Sequence, residues 1–437
     1  MRGEWTEATV AELQAKGVLL VEDGNHGEYR PRPDEFADTG VAFIRAADMD
    51  KGQVLFSSAS KIIPGARQRI TKGIGEPGDV LLSHKGTVGK VALVPRDAPP
   101  FVCSPQTTFW RAQDQQVLDR QYLYAFLRSP TFHAQLATRA GETDMAPYVS
   151  LTSQRGLSVT LPPISDQRAI AHILGTLDDK IELNRKTSET LEAMARTLFK
   201  SWFVDFDPVR AKMERRDPGL PKEIADLFPS RMVESELGEI PEGWRSTHVD
   251  DQFNLTMGQS PPGETYNETG VGLPFYQGRA DFEFRFPKRR VYCIAPTRFA
   301  SRGDTLISVR APVGDINMAA EDCAIGRGVA AARHKSGSRS YTYQFMHSVE
   351  EVFHRFNAEG TVFGSISKKD FHAIPCVAPT RQIIGAFEKL VTPLDGRIET
   401  ALFESRTLAV VRDALLPRLI SGELRVKDIR GFSKATR

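Results

Sequence analysis

Leu177-Asp178-Asp179-Lys180-Ile181-Glu182 returns further along the chain as Leu394-Asp395-Gly396-Arg397-Ile398-Glu399, a shift of 217 positions. Around the first copy, Ile170, Leu174, Leu177, Ile181, Leu191, Leu198 and Trp202 fall on alternating spacings of four and three, with Asn184, Ser188 and Ala195 at the remaining seam positions. Around the second copy the seam is Phe387, Val391, Leu394, Ile398, Ala401, Ser405, Leu408, Arg412, Leu415 and Leu419. A period of 3.5 is the heptad pattern of a long helix and not the two-residue alternation of a strand. At 1.5 Å per residue, a helix of about 35–40 residues spans roughly 50–60 Å. Two unrelated amphipathic helices, each packed on its own domain, would also carry apolar stripes. Here both seams weaken at the same place, Asn184/Ser188 against Ala401/Ser405, so each helix is expected to be the other's partner. For a duplicated chain with short seams, an antiparallel pair about a pseudo-two-fold axis is the natural solution. It would hold two globular units at opposite ends of a rod of fixed length.

The repeat extends outward from the helices. Gly78-Asp79-Val80-Leu81-Leu82-Ser83 returns as Gly303-Asp304-Thr305-Leu306-Ile307-Ser308, and the copies stay aligned through Val88-Gly89 and Val313-Gly314. Tyr122-Leu123-Tyr124 returns as Tyr341-Thr342-Tyr343. So long a period is not a solenoid repeat. It is a duplicated unit, a globular domain plus a helical segment, that diverges in the middle and agrees at the joints. That pattern suits one scaffold carrying two different readers.

The expected organisation is α+β: a first domain at 1–163, a helical spacer at 164–212, a linker at 213–240, a second domain at 241–375, a second helical spacer at 376–425 and a tail at 426–437. Short apolar runs such as Val41-Ala42-Phe43-Ile44 and Lys90-Val91-Ala92-Leu93-Val94, bounded by Gly, Pro and Asp, read as strands. Asp207-Pro208 is expected to end the first long helix, and the Pro-, Glu-, Gly- and Ser-rich stretch after Arg215 reads as a tether.

The chemistry that can be looked for is mostly absent. No Asn/Asp-Pro-Pro-aromatic tetrapeptide and no P-loop occurs, and Gly86-Thr87-Val88-Gly89-Lys90 has the wrong spacing for a P-loop. Asp178-Asp179-Lys180 matches the last triplet of a metal-dependent nuclease motif, but it sits inside the heptads and its repeat keeps neither the middle acid nor the lysine. Cys103, Cys293, Cys323 and Cys376 form no metal-binding pair and read as reduced thiols of a cytoplasmic protein. Met1 to Glu7 has no apolar core, so a secretory leader is not expected, and no apolar stretch reaches the ~20 residues of a membrane span. No catalytic residue and no metal ligand is assigned.

What remains are basic loops. A formal charge of +2 marks no nucleic-acid binder, so basic residues would have to be concentrated locally. In the first domain Lys61, Arg67, Arg69 and Lys72 lead into His84-Lys85-Gly86-Thr87. In the second, Arg279 and the run Lys288-Arg289-Arg290 surround Phe282, Phe284 and Phe286; Arg310 sits where Lys85 does, Arg327, Arg333, Lys335 and Arg339 cluster further on, and Lys368-Lys369 follows Ser365-Ile366-Ser367. Arg and Lys with interleaved hydroxyls and aromatics suit phosphate and base-edge contact; the alternative is that they only solubilise strand ends. His84, Lys85, Thr87, Arg279, Arg310 and Lys368 are the candidate base readers. Arg67, Arg69, Lys288, Arg289, Arg290 and Lys369 complete the candidate DNA-binding set.

Several stretches resemble one known family. Leu161-Pro162-Pro163-Ile164-Ser165-Asp166-Gln167-Arg168-Ala169-Ile170-Ala171 and Leu177 to Asn184 resemble the conserved helix of type I restriction–modification specificity (S) subunits. Ser201-Trp202-Phe203-Val204-Asp205-Phe206-Asp207-Pro208 looks like that family's central-region signature, Ile240-Pro241-Glu242-Gly243-Trp244 like the entry to its second recognition domain, and Leu415 to Leu424 like its closing stretch. The opening Arg2-Gly3-Glu4-Trp5 departs from the Pro-Glu-Gly-Trp form. The resemblance implies two target-recognition domains, each reading half of a split double-stranded DNA sequence, and two long antiparallel helices setting the gap. It also implies a non-catalytic chain without cofactors of its own. Modification subunits, typically two, would dock on the helices and methylate adenine with S-adenosylmethionine, and restriction subunits would use ATP and Mg2+. A stand-alone DNA-binding regulator without enzyme partners is the alternative.

Overall fold

The computed structural model describes residues 5–140, 147–358 and 364–426. The opening residues Met1 to Glu4 and the expected tail beyond Val426 lie outside the described residues. The chain forms two compact units, Met1–Leu183 with Glu404–Arg437, and Asn184–Phe403.

In the first unit Thr6–Thr9 pairs antiparallel with Ser158–Leu161, tying the entry of the domain to the strand that leads into the long helix. Thr9 then starts the helix Val10–Ala15 with a capping box: its hydroxyl accepts the Glu12 N–H, and the Glu12 carboxylate accepts the Thr9 N–H. One sheet runs Leu19–Asp23, Thr107–Ala112, Val80–Ser83, Val91–Leu93, Gln53–Val54, Met49–Asp50. Another runs Phe36–Ala37, Lys61–Ile62, Val41–Ile44, Phe101–Cys103, Ile74–Gly75. Val80–Ser83 is buried at every position, in line with the apolar run Val80-Leu81-Leu82.

The second unit repeats this scheme. Arg245–His248 pairs with Pro375–Ala378. Its sheets run Phe253–Met257, Val329–His334, Thr305–Ser308, Ile316–Met318, and Tyr266–Asn267, Tyr292–Cys293, Leu273–Tyr276, Cys323–Ile325, Phe299–Ala300. Strand for strand this is the order of the first unit without its two outermost strands.

The repeated Gly-Asp turns out to be a structural device. Gly78 and Gly303 hold left-handed backbone, φ +89° and +86°, at the turn into the central strand. The aspartate that follows accepts a backbone N–H three residues back, from Glu76 or Ser301. It also receives an arginine from the neighbouring strand, Arg111 on Asp79 at 2.7 Å and Arg333 on Asp304 at 2.6 Å.

Both heptad segments are single helices of 40 residues, Ile164–Phe203 and Arg381–Ile420. None of the seam positions is fully exposed. In the first unit Asp178 bonds Arg412 at 2.7 Å and Lys180 bonds Glu404 at 3.0 Å. In the second unit the rings of Phe199 and Trp202 lie 5.7 and 6.0 Å from that of Phe387. Glu192 and Asp395, one from each helix, share Arg285. Numbers rise on one helix as they fall on the other, so within each unit the two helices run antiparallel.

Two local readings differ from what the composition implied. Pro208 does not stop a helix but opens a new one, Asp207–Met213, where a missing N–H costs nothing; the break is at Phe206, which takes a left-handed φ of 57°. The Pro- and Gly-rich stretch that follows contains a short helix, Lys222–Ala225, and a hairpin, Met232–Ser235 with Gly238–Pro241. Its Phe228 and Ile240 are buried in the second unit's core. The prolines and glycines there mark turns, while those apolar residues anchor the stretch. No described helix is long and apolar enough to cross a membrane.

Candidate nucleic-acid interface

In each unit several turns meet at one end of the sheets, and backbone hydrogen bonds hold them together. In the first unit the N–H of His84 donates to Gln106 O, that of Gly24 to Thr107 O, that of Ser104 to Ile44 O and that of Val149 to His84 O. In the second, Val309 donates to Gly328 O, Gly258 to Val329 O, Gly326 to Tyr276 O and Ile366 to Val309 O. The isolated bridge of Lys85 with Tyr148 is matched by that of Arg310 with Ser365. Each of these bonds has its counterpart, so positions in the two frames correspond: Gly24 with Gly258, Lys85 with Arg310, Pro105 with Arg327. Backbone packs on backbone here. A Cβ on Gly24 would lie 1.9 Å from Cys103 O, and one on Gly258 would lie 2.2 Å from Gly326 O, so only glycine fits at either position.

The candidate residues are distributed unevenly over this frame. Lys85, Thr87 and Arg310 are exposed on it, with the Lys85 ammonium 5.7 Å from the centre of the Tyr148 ring. Lys368 and Lys369 are exposed in the first turn of a short helix capped by Ser367. Lys288 is also exposed, its backbone N–H donating to Asp281 O.

Other candidates are already committed to partners. Arg69 bonds Glu35 at 2.7 Å, and this bond, joined by the Arg32 N–H, holds the Glu35 carboxyl down at about 2. Arg67 donates to Ile70 O at the end of its own helix. Arg279 lies 3.1 Å from Asp315, Arg289 is 2.5 Å from Glu321, and Arg290 is 2.5 Å from the buried carboxylate of Asp281. Of the Arg327–Arg339 cluster, Arg333 is spent on Asp304, Lys335 donates to Asp250 O, and the Arg339 side chain packs over Gly303.

His84 must be removed from the readers. It is 1% exposed, its Nδ1 lies 3.0 Å from Val149 O, and burial pushes its basicity down. The side chain pins the turn that carries Lys85; it has no path to a base edge. Sequence position alone could not separate these neighbours, because the strand ends at Ser83 and both lie in the turn beyond it.

The frame also exposes Asn25 in the first unit and Gln259, Gln277 and Arg327 in the second, of which only Arg327 had stood out in the sequence, and then only as part of a basic cluster. The available signal was the glycine beside each: Gly24, Gly258, Gly278, and Gly326 with Gly328. Among the described residues no group of three or more His, Cys, Asp or Glu side chains could hold a metal ion.

Residues 20–193 match the family model described as the type I restriction modification DNA specificity domain. The chain is 29% identical over 360 residues to a putative type I restriction enzyme MjaX specificity subunit of Methanocaldococcus jannaschii, covering 80% of this chain and 79% of that one. It is 24% identical over 436 residues to the HindI specificity subunit of Haemophilus influenzae, covering 88% and 94%. The fold is also that of a type I restriction–modification S subunit from M. genitalium, at a TM-score of 0.59 and 15% identity over 95% of this chain and 96% of that one. With the duplicated frames and antiparallel long helices in place, the chain is similar over most of its length to the specificity subunits of type I restriction–modification systems.

Proposed function

We propose that each unit docks on duplex DNA and reads one half of a split target, while the paired helices set the length of the unread gap between the halves. The chain performs no chemistry of its own and holds no cofactor. It carries modification subunits, two of them, that methylate adenine from S-adenosylmethionine, and restriction subunits that use ATP and Mg2+. The observation that carries the reading is the pair of frames: identical backbone bonding, unlike exposed side chains. That is what two readers evolved from one scaffold require. Exposed Lys85, Thr87, Arg310, Lys368, Lys369 and Lys288 are the candidates for phosphate and base-edge contact. Arg69, Arg289 and Arg290 would have to exchange a carboxylate for a phosphate, which returns less than an unpaired arginine would.

Base-resolution methylome mapping of a host carrying this chain with its modification partner tests the reading. The expected result is adenine methylation at one bipartite sequence with a constant gap. Removing one helical turn should change the gap and leave both half-sequences intact. Changed half-sequences at an unchanged gap would overturn the ruler, and methylation by the isolated chain would overturn the division of labour.

A further inference from the structure

One pair of equivalent positions in the two frames exchanges a proline for an arginine. The turn Ser104–Thr107 carries Pro105, whereas the equivalent turn Gly326–Val329 carries Arg327. Arg327 is exposed between two buried glycines, and its backbone N–H donates to Ser260 Oγ. Its guanidinium has no hydrogen-bond or ion-pair partner among the described residues, unlike those of Arg279, Arg289, Arg290 and Arg333.

The backbone beneath it is fixed. The Gly326 N–H donates to Tyr276 O at 2.8 Å, the Val329 N–H returns to Gly326 O at 2.9 Å, and a Cβ on Gly328 would lie 2.3 Å from Gln277 O. Exposed Gln259 and Gln277 flank it on the two turns to which this one is bonded, and Arg310 stands on the turn bonded to Gly328. An arginine on a rigid turn, left unpaired and surrounded by amide side chains, has the chemistry of a base reader. The planar guanidinium matches the N7 and O6 acceptors of guanine in the major groove, and amides match adenine.

We infer that Arg327 is a specificity-determining residue that reads a guanine in the half-sequence recognised by the second unit. The inference rests on the two-reader function proposed above. Arg327 lies on a turn of the repeated frame where the side chain changes while the bonds that hold the turn are kept. A residue that only neutralised phosphate would not need a turn tied down at both ends by close backbone packing.

The test uses the complex of this chain with its modification subunits, mapped as above with wild type and Arg327→Ala. The expected result is loss of preference at one guanine position of one half-sequence, by roughly 5- to 150-fold, with the other half and the gap unchanged. An unchanged methylated sequence overturns the inference, as does a uniform fall at all sites. A wild-type complex that methylates no bipartite sequence overturns the proposed function itself, and this inference with it. Binding to target duplexes with 7-deazaguanine at each guanine in turn gives a second measurement. Wild type should weaken at one position to which Arg327→Ala is indifferent; equal losses for both proteins at every position would count against a contact to guanine N7.

Discussion

Asp178 and Asp395 occupy the same place in the repeat and do different work. In the first unit Asp178 is a quarter exposed and accepts from Arg128 at 2.6 Å and Arg412 at 2.7 Å, both of them partly open to solvent. In the second, Asp395 and Glu192 enclose Arg285, whose side chain is 1% exposed and whose guanidinium carbon lies 3.7 Å from the centre of the Tyr343 ring. Gln344 adds a hydrogen bond to the other oxygen of Glu192 at 2.8 Å. One acid, duplicated, became a surface clasp in one unit and a buried charge cluster in the other. A buried ion cluster is a poor source of stability, because desolvation cancels much of the attraction, but it tolerates only one alignment of its members. In the second unit that alignment ties both helices to the domain; in the first, helix register rests on the apolar seam and on exposed pairs.

The largest effect that separates the two solutions is expected from Arg285→Ala. It strands two carboxylates in the core and should destabilise the second unit by about 3–5 kcal/mol. Asp178→Ala should cost the first unit no more than about 1 kcal/mol. Hydrogen exchange resolved by unit measures both, and equal losses would erase the distinction. The comparison is sharpened by replacing Arg285, Glu192 and Asp395 together with apolar residues of similar volume. Stability should then return to wild type or exceed it.

The seams differ more gently. Ile398 is fully buried in the second unit, while its partner in the repeat, Ile181, is only half-buried in the first. Ile398→Ala should cost about 2–5 kcal/mol and Ile181→Ala clearly less, in the same exchange experiment.

Acid sensitivity tests the buried groups of the second unit as well. Burial, helped by Arg381 and Lys335, pushes His334 down to about 4. Burial together with Arg196 and Arg285 pushes His347 down to about 3. Both histidines are neutral in the native state, whereas the unfolded chain takes up protons below about 6.5. The unfolded state therefore binds more protons, and the second unit should lose stability steadily as pH falls from about 6.5 toward 4. In the first unit Glu35, held down at about 2 by Arg69, contributes stability above its unfolded value, lost only as pH falls from about 4.3 toward 2. Buried His26, His84 and His133 give the first unit a loss in the same window, so exchange followed against pH should show both units weakening below about 6.5; a stability of the second unit that is flat from pH 6.5 to 4 would contradict the assignment.

Much of the fold was legible in advance for identifiable reasons. Heptads are local: Leu174, Leu177 and Ile181 declare a helix face by their spacing alone, and the matched weak point at Asn184/Ser188 and Ala401/Ser405 declares the pairing. The Gly-Asp repeat was visible too, but its meaning was not, since the partners Arg111 and Arg333 lie tens of residues away on another strand. The candidate interface could be named in the sequence as basic loops, but which of their side chains are exposed and unpaired could not. Lys85 and His84 are neighbours in sequence, yet the turn after Ser83 exposes one and buries the other. Arg289, Arg290 and Arg327 look alike as basic residues, and only the position of Glu321 and Asp281 shows which of them are already paired.

By itself, the sequence determined that the chain is a duplication, that each copy ends in a long helix, and that the two helices pair in opposite directions. These follow from periodicity and from matched phase, which need no long-range information. Tertiary structure alone decided which charges are spent and which are free, and which turns stand together. Those outcomes depend on strand register, which brings Val309 to Gly328 and Gly258 to Val329. A shift of one residue in that register would move the strands' buried side chains to the other face and bring different turns together.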